Sequence, residues 1–178
     1  IDTFVDILDA YPKWEVVLTQ MNYLDEYYQT GVMGLDELKR LNIGSMIMEP
    51  LRVGRLVQNI PPEVQKLWDC AEVKRTPVEW ALEYLWNRDD VDCVLSGMNS
   101  LEQVKQNIQI ASNVKEISES DQDLIREVAR TYKTLTGNEC TSCGYCMPCP
   151  EGVDIINCFN EYNIGKMLNN PKGSAMQY

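Results

Sequence analysis

The segment TPVEWALEYLWNRDDVDCVLSGMNSLEQ, residues 76–103, decides the architecture of this chain. Thr76-Pro77-Val78-Glu79 is a capping box with proline at the first helical position, which predicts a helix start. Val78, Ala81, Leu82 and Leu85 then recur at the spacing of one helical face. Val91 to Leu95 (VDCVL) is a nearly continuous apolar run and predicts a strand. Ser100-Leu-Glu-Gln103 opens a second helix in the same way, with Leu101, Val104, Ile108 and Ala111 on its apolar face. Helix, strand and helix in succession predict βα units and a parallel sheet.

The pattern repeats towards the N-terminus. Glu15 to Gln20 (EVVLTQ) and Gly44 to Met48 (GSMIM) read as further strands, of the kind buried on both faces. A helix over Asp2 to Ala10 is expected to bury Phe4, Ile7 and Leu8, and Leu35 and Leu38 mark another that ends near Asn42 and Gly44. Three parallel strands cannot close a barrel and leave two open edges. The chain also begins at Ile1, straight into a helical pattern, so the C-terminal part of a longer protein is expected. Composition places one division near residue 115, giving parts 1–115 and 116–178. The second part opens with a helix from about Ser118 to Leu135, carrying Leu124, Val128, Tyr132 and Leu135 on its apolar face. A shorter helix from about Val153 to Leu168 follows, and residues 169–178 read as a loose tail.

At 178 residues and 44% apolar content the chain has enough material for a core. Its formal net charge of -11 argues against nucleic acid or an anionic membrane as partner. No apolar run approaches the roughly 20 residues of a membrane span, and a cytoplasmic setting is expected. Histidine is absent, which removes the usual general base at neutral pH and excludes Ser-His-Asp or Cys-His catalysis within these residues.

Cys140, Cys143, Cys146 and Cys149 lie at C-x2-C-x2-C-x2-C-P spacing. Thiolates this close repel one another unless a metal takes up their charge; the first three repeat the loop around one corner of an iron–sulfur cube, and Cys-Pro is how such runs commonly end. A [4Fe–4S] cluster is expected; structural zinc and a redox-switching dithiol are the competing readings. Cys149 is the default fourth ligand, with Cys158 as the alternative. Cys70 and Cys93 read as ordinary buried apolar cysteines.

Gln20-Met-Asn-Tyr-Leu-Asp25, Ile47-Met-Glu-Pro-Leu-Arg52, Val94-Leu-Ser-Gly-Met98 and Glu102-Gln-Val-Lys-Gln-Asn107 resemble, as an ordered set, the last three βα units of an aldo-keto reductase barrel. With the cysteine run, the chain is similar to the subgroup carrying a C-terminal ferredoxin-like 4Fe-4S extension. The resemblance implies an α/β fold, the C-terminal part of a (β/α)8 TIM barrel of about three βα units, followed by a small helical iron–sulfur region. It implies an NAD(P)H-dependent oxidoreductase acting on a small carbonyl or alcohol substrate, with a redox protein as a possible further partner. The family's Asp, Tyr, Lys and His tetrad lies on earlier strands, so no catalytic residue is assigned here. The alternative is a non-catalytic iron–sulfur electron-transfer or binding module on a barrel scaffold.

By the same resemblance, Gln20 matches the residue bonding the nicotinamide carboxamide, and Met48 stands where many relatives place an aromatic ring. Leu51 matches a position beside the pyrophosphate, Gly54 allows close backbone approach, and Arg52 is placed for a phosphate or a substrate carboxylate. Gly97, Met98 and Asn99 lead into a helix N-terminus, and Gln103 and Asn107 match positions at the adenosine end. Many NADP-dependent relatives carry Lys or Arg around positions 97 and 103; neutral residues here make NADH at least as plausible.

Overall fold

The computed structural model describes all residues except Pro12, Thr136, Glu139, Thr141, Ser142, Cys143 and Tyr178. Three strands, β1 (Val16–Gln20), β2 (Gly44–Met48) and β3 (Cys93–Val94), form one sheet in the order β1-β2-β3. Both pairings are parallel, with Val16 opposite Gly44 and Met46 opposite Cys93. Among the described residues the helices are α1 (Asp2–Ala10), α2 (Gly31–Arg40), α3 (Pro62–Asp69), α4 (Pro77–Trp86), α5 (Leu101–Ala111), α6 (Glu119–Thr134), α7 (Ile155–Met167) and α8 (Pro171–Ala175). No helix of the described residues is long and apolar enough to cross a membrane. The chain divides into two compact units, residues 1–57 with 75–122 and residues 58–74 with 123–178. The compositional boundary near residue 115 falls inside the second segment of the first unit.

In the first unit, α2 packs on β2 and α4 on β3. That face of the sheet holds the buried Thr19, Ser45 and Ile47. The opposite face is uncovered: Val16 is exposed and Leu18 is 52% exposed, against the expectation of strands buried on both sides. Alternation explains the difference, because successive side chains of a strand point to opposite faces and helices cover only one of them here. Leu18 lies opposite Met46, which lies opposite Cys93, so the Cys93 thiol shares the uncovered face and is exposed rather than buried. β3 is shorter than Val91 to Leu95 because Asp92 turns to a different task. Its carboxylate accepts from Ser45 N at 2.8 Å, while Ser45 Oγ donates to Asp90 O at 2.8 Å.

The helix at Thr76 begins as its sequence dictates. Thr76 Oγ1 accepts from Glu79 N at 3.2 Å, and Glu79 Oε2 accepts from Thr76 N at 2.6 Å. Burial runs further round α4 than one stripe, taking in Trp80, Glu83 and Tyr84 as well as Ala81, Leu82 and Leu85. Partial burial works against ionisation of Glu79, but the hydrogen bonds from Lys115 and Thr76 more than offset it and hold its carboxyl below the reference value of 4.5. Its stabilising contribution is therefore complete above pH 4.5 and is lost as pH falls through the lower folded value. Urea melts of Glu79→Gln should show a flatter acid limb than the parent, by about 1 kcal/mol at most for so exposed a pair.

Three other expectations are corrected. In α1 Leu8 is buried, Phe4 is half-buried, and Ile7 is 52% exposed. In α5 the predicted stripe faces solvent, with Leu101 62% and Ile108 60% exposed, and Ile110 is the buried residue. Asn107, on the same side as Ile110, donates to Ser96 Oγ at 2.9 Å. In the second unit the supposed tail forms α8, capped by Asn170 Oδ1 accepting from Gly173 N at 3.0 Å and packed on α7.

The second unit buries Val64 and Trp68 of α3, Ile125, Val128, Ala129 and Tyr132 of α6, and Met167 with Leu168. Leu124 and Leu135, expected on the inner face of α6, are half-buried, and Ile125 and Ala129 take their place. Cys70 caps the C-terminus of α3, where its thiol donates to Lys66 O at 3.2 Å and stays exposed, not buried as expected.

Candidate functional site

The C-terminal ends of β1 and β2 bring several of the expected residues together. Gln20 and Met48 are register partners, the last residues of their strands. Past β1 the chain turns on Asn22, which is fully buried. Asn22 Oδ1 accepts from Leu24 N and Asp25 N, each at 3.0 Å, and its Nδ2 donates to Glu49 O at 3.1 Å and Asp25 Oδ2 at 3.0 Å. That carboxylate oxygen also meets Gln20 Nε2 at 3.4 Å and Arg52 Nε at 3.2 Å. Asp25 is thus a hub that orients both Gln20 and Arg52. Neither Asn22 nor Asp25 was singled out by the sequence reading, although an Asn followed at the third position by Asp is the mark of a side-chain-built turn.

The turn after β2 is held in an uncommon backbone state. Glu49, Arg52, Val53 and Gly54 have φ of 58°, 50°, 55° and 77°. For a β-branched residue such as Val53 this conformation is strained by about 1–2 kcal/mol. Leu56 is fully buried and donates its N–H to Leu51 O at 3.2 Å, which fixes the turn against the core. Arg52 Nη1 is buried without a hydrogen-bond partner, so the guanidinium retains an unused donor beside its Asp25 contact. Strain and unmet donors of this kind gather where a chain meets a ligand.

Below this turn, Tyr84 secures the loop that carries Asp25. Its hydroxyl donates to Glu26 Oε1 at 2.5 Å, and its ring meets Tyr23 edge-on at 6.3 Å. Burial, followed by the Glu26 carboxylate, pushes the Tyr84 hydroxyl far above the ordinary phenol range, so it remains protonated and keeps donating.

The remaining expected residues cluster after β3. Leu95 N donates to Ile47 O at 2.8 Å and carries the ladder past the strand end. Gly97 has open space where a Cβ would lie, and Met98 and Asn99 are exposed. Ser100 Oγ accepts from Gln103 N at 3.3 Å, but Gln103 Oε1 reaches back to Asn99 N at 2.9 Å, one residue before the expected partner. Gln103 and Asn107 therefore shape the 96–100 loop from α5.

Two solved structures of aldo-keto reductase AKR11C1 from Bacillus halodurans are similar to this architecture. The holo form gives a TM-score of 0.56 over 69% of this chain at 20% identity. The apo form gives 0.55 over 69% at 20% identity. The fold matches part of an aldo-keto reductase barrel. This chain spans less than half the length of each of those chains, 46% and 47%. No family model matches the sequence, and no curated protein matches it. Gln20 and Met48 end their strands at the C-terminal edge of the sheet, and Arg52 lies in the turn that follows β2.

The cysteine segment belongs to the second unit. Cys140 and Cys149 are half-buried and Cys146 is exposed; Cys143 lies outside the described residues. Gly144 and Gly152 turn the chain at φ of 79° and 71°, with Met147 N donating to Gly144 O at 2.9 Å and Gly152 N to Cys149 O at 3.0 Å. Asn163 of α7 holds the approach to Cys140, its Oδ1 accepting from Gly137 N at 3.0 Å and Asn138 N at 2.9 Å. Cys158 lines a concavity of about 440 Å³ with Glu161, Tyr162 and Lys166 of α7 and Pro171 and Ser174 of α8. Among the described residues no three of His, Cys, Asp or Glu converge to hold a metal ion. The run offers only sulfur donors, and Asn138 Nδ2 beside it is buried without a hydrogen-bond partner.

Proposed function

We propose that this chain forms the nucleotide-binding side of an aldo-keto reductase-like oxidoreductase that uses NAD(P)H on a small carbonyl or alcohol substrate. The supporting observation is the convergence of Gln20, Met48 and Arg52 at neighbouring parallel strand ends, with Asp25 orienting two of them. Gln20 takes the nicotinamide carboxamide, and Leu51 and Gly54 line the pyrophosphate. Arg52 answers an anionic group with its unused Nη1 donor. Gly97, Met98 and Asn99 receive phosphate, while Gln103 and Asn107 face the adenosine end. The bound nicotinamide supplies hydride. No residue of this chain is assigned the accompanying proton transfer. In a titration of NADH fluorescence, Gln20→Ala should weaken binding about tenfold, equivalent to about 1.4 kcal/mol. Equal affinity in both proteins, or no binding of NADH or NADPH to the parent chain, would overturn the assignment.

Cys140, Cys143, Cys146 and Cys149 hold a [4Fe–4S] cluster, which supplies one-electron chemistry or ties the loop together. The place of Cys158 in the α7–α8 concavity supports Cys149 as the fourth ligand. Iron analysis and EPR should find the cluster lost in Cys149→Ala and kept in Cys158→Ala; the reverse outcome exchanges the two. The competing reading is a non-catalytic iron–sulfur electron-transfer or binding module on a barrel scaffold. Reduction of the cluster by NADH in the complete protein would count against it.

A further inference from the structure

Helix α7 lines its concavity with one face, the row Cys158, Glu161, Tyr162, Gly165 and Lys166 at helical spacing. At Gly165 the helix meets α8 closely. A Cβ there would lie 3.1 Å from Pro171 Cα and 3.2 Å from Ser174 Cβ. Helix α8 has five residues against thirteen in α7, so it covers only part of the row. The space left is the concavity of about 440 Å³, inside the range of about 300–1,000 Å³ usual for ligand pockets.

The polar groups around this space are unevenly matched. Glu161 Oε2 is buried and accepts no hydrogen bond. A shielded carboxylate oxygen without a donor is unfavourable, and native folds rarely leave one. The cation on the same helix face is directed elsewhere: Lys166 Nζ lies over the Tyr162 ring, 5.8 Å from its centroid. That contact shows the Tyr162 face within reach of a cation, which the ring quadrupole attracts. The ring is held from behind, since a Cβ on Gly137 would collide with its Cε1. Ser174, 4% exposed, adds a hydroxyl to a wall otherwise made by Gly165, Pro171 and Ala175.

We propose that this concavity binds a small organic cation, a primary ammonium carried on an apolar body. The ammonium supplies the donor that Glu161 Oε2 lacks, and the Tyr162 ring faces its charge in place of Lys166. The apolar body packs along Pro171 and Ala175. An anion of the same shape is repelled by Glu161, and a neutral analogue leaves that carboxylate without a countercharge. The chain's net charge of -11 draws cations towards it. The site lies wholly within the second unit and depends on neither the nucleotide nor the cluster reading.

Titration calorimetry of the complete 178-residue chain tests this with three probes of one shape: phenethylamine, phenethyl alcohol and phenylacetate. The amine should bind saturably, about tenfold tighter than the alcohol, and the acid should not bind. Glu161→Gln keeps the shape, removes the charge and should weaken amine binding about tenfold. Lys166→Ala should bind the amine more tightly, because the ring face is then free. Bound amine should also slow alkylation of Cys158 by iodoacetamide and leave Cys70 and Cys93 at their free rates. No saturable binding of the amine, equal binding of the three probes, or unchanged affinity in Glu161→Gln would overturn the proposal. Protection of Cys70 or Cys93 in place of Cys158 would overturn it as well. If Glu161→Gln fails to fold, the comparison of the three probes on the parent chain decides.

Discussion

Replacing Arg75 with methionine is expected to destabilise the first unit by about 3–5 kcal/mol, the cost of leaving buried charges without their partner. The Arg75 side chain is 0% exposed, and its guanidinium meets Glu83 Oε2 at 2.7 Å, Asp121 Oδ2 at 3.1 Å and Glu116 O at 2.7 Å. It also lies over the Trp80 ring, 4.5 Å from the centroid. Removing it strands the carboxylates of Glu83 and Asp121, which are 1% and 7% exposed. Glu83 Oε1 additionally accepts from Lys115 N at 3.2 Å, so the 115–118 connection would loosen with it. Urea unfolding should show a lower midpoint at unchanged slope. A triple variant, Arg75→Met with Glu83→Leu and Asp121→Asn, should recover most of the loss, because no charge is then left buried. An unchanged midpoint in the single variant would show that the triad does not hold these segments together.

Gly31→Ala should be nearly as disruptive. Gly31 has φ of 53°, and a Cβ there would stand 2.4 Å from Glu26 O, a backbone atom that already accepts from Val32 N at 2.8 Å. Left-handed strain and the steric clash together should cost about 2–4 kcal/mol. The disturbed loop carries Asp25 and Glu26, so the variant should also weaken the proposed NADH binding while Tyr84 loses its acceptor. Near-parental stability and affinity in Gly31→Ala would mean that the 21–30 loop is not the rigid support described above.

The parallel strands and the capped helices were legible because each rests on local chemistry: apolar runs, Thr76 with Glu79, Ser100 with Gln103. What the sequence hid was orientation. Leu101 and Ile108 look like a core stripe, yet both are exposed and α5 buries Ile110 instead. A helical segment around Cys70 is legible but its bounds are not, because Pro61-Pro62 obscures the start of α3 and only Val64 and Trp68 hint at a buried face. Arg75, Glu83 and Asp121 lie far apart in sequence, so no local pattern shows them as one buried group. The resemblance singles out Gln20 and Arg52 as candidates, whereas their meeting at Asp25 depends on a turn built by Asn22.

The sheet is stapled at its entrance. Gly44 N donates to Glu15 O at 2.9 Å, and Ser45, Asp90 and Asp92 exchange hydrogen bonds across 47 residues of chain, all where the strands begin. Register is thereby settled at the end remote from Gln20, Met48 and Arg52. The opposite end is left free to hold strained backbone and unmet donors without endangering the pairing. Such a separation makes the two ends differently tolerant of change. Drift in the turns after β1 and β2 can reshape that end, while a single substitution at Ser45 or Asp92 would threaten the strand alignment on which every candidate residue depends.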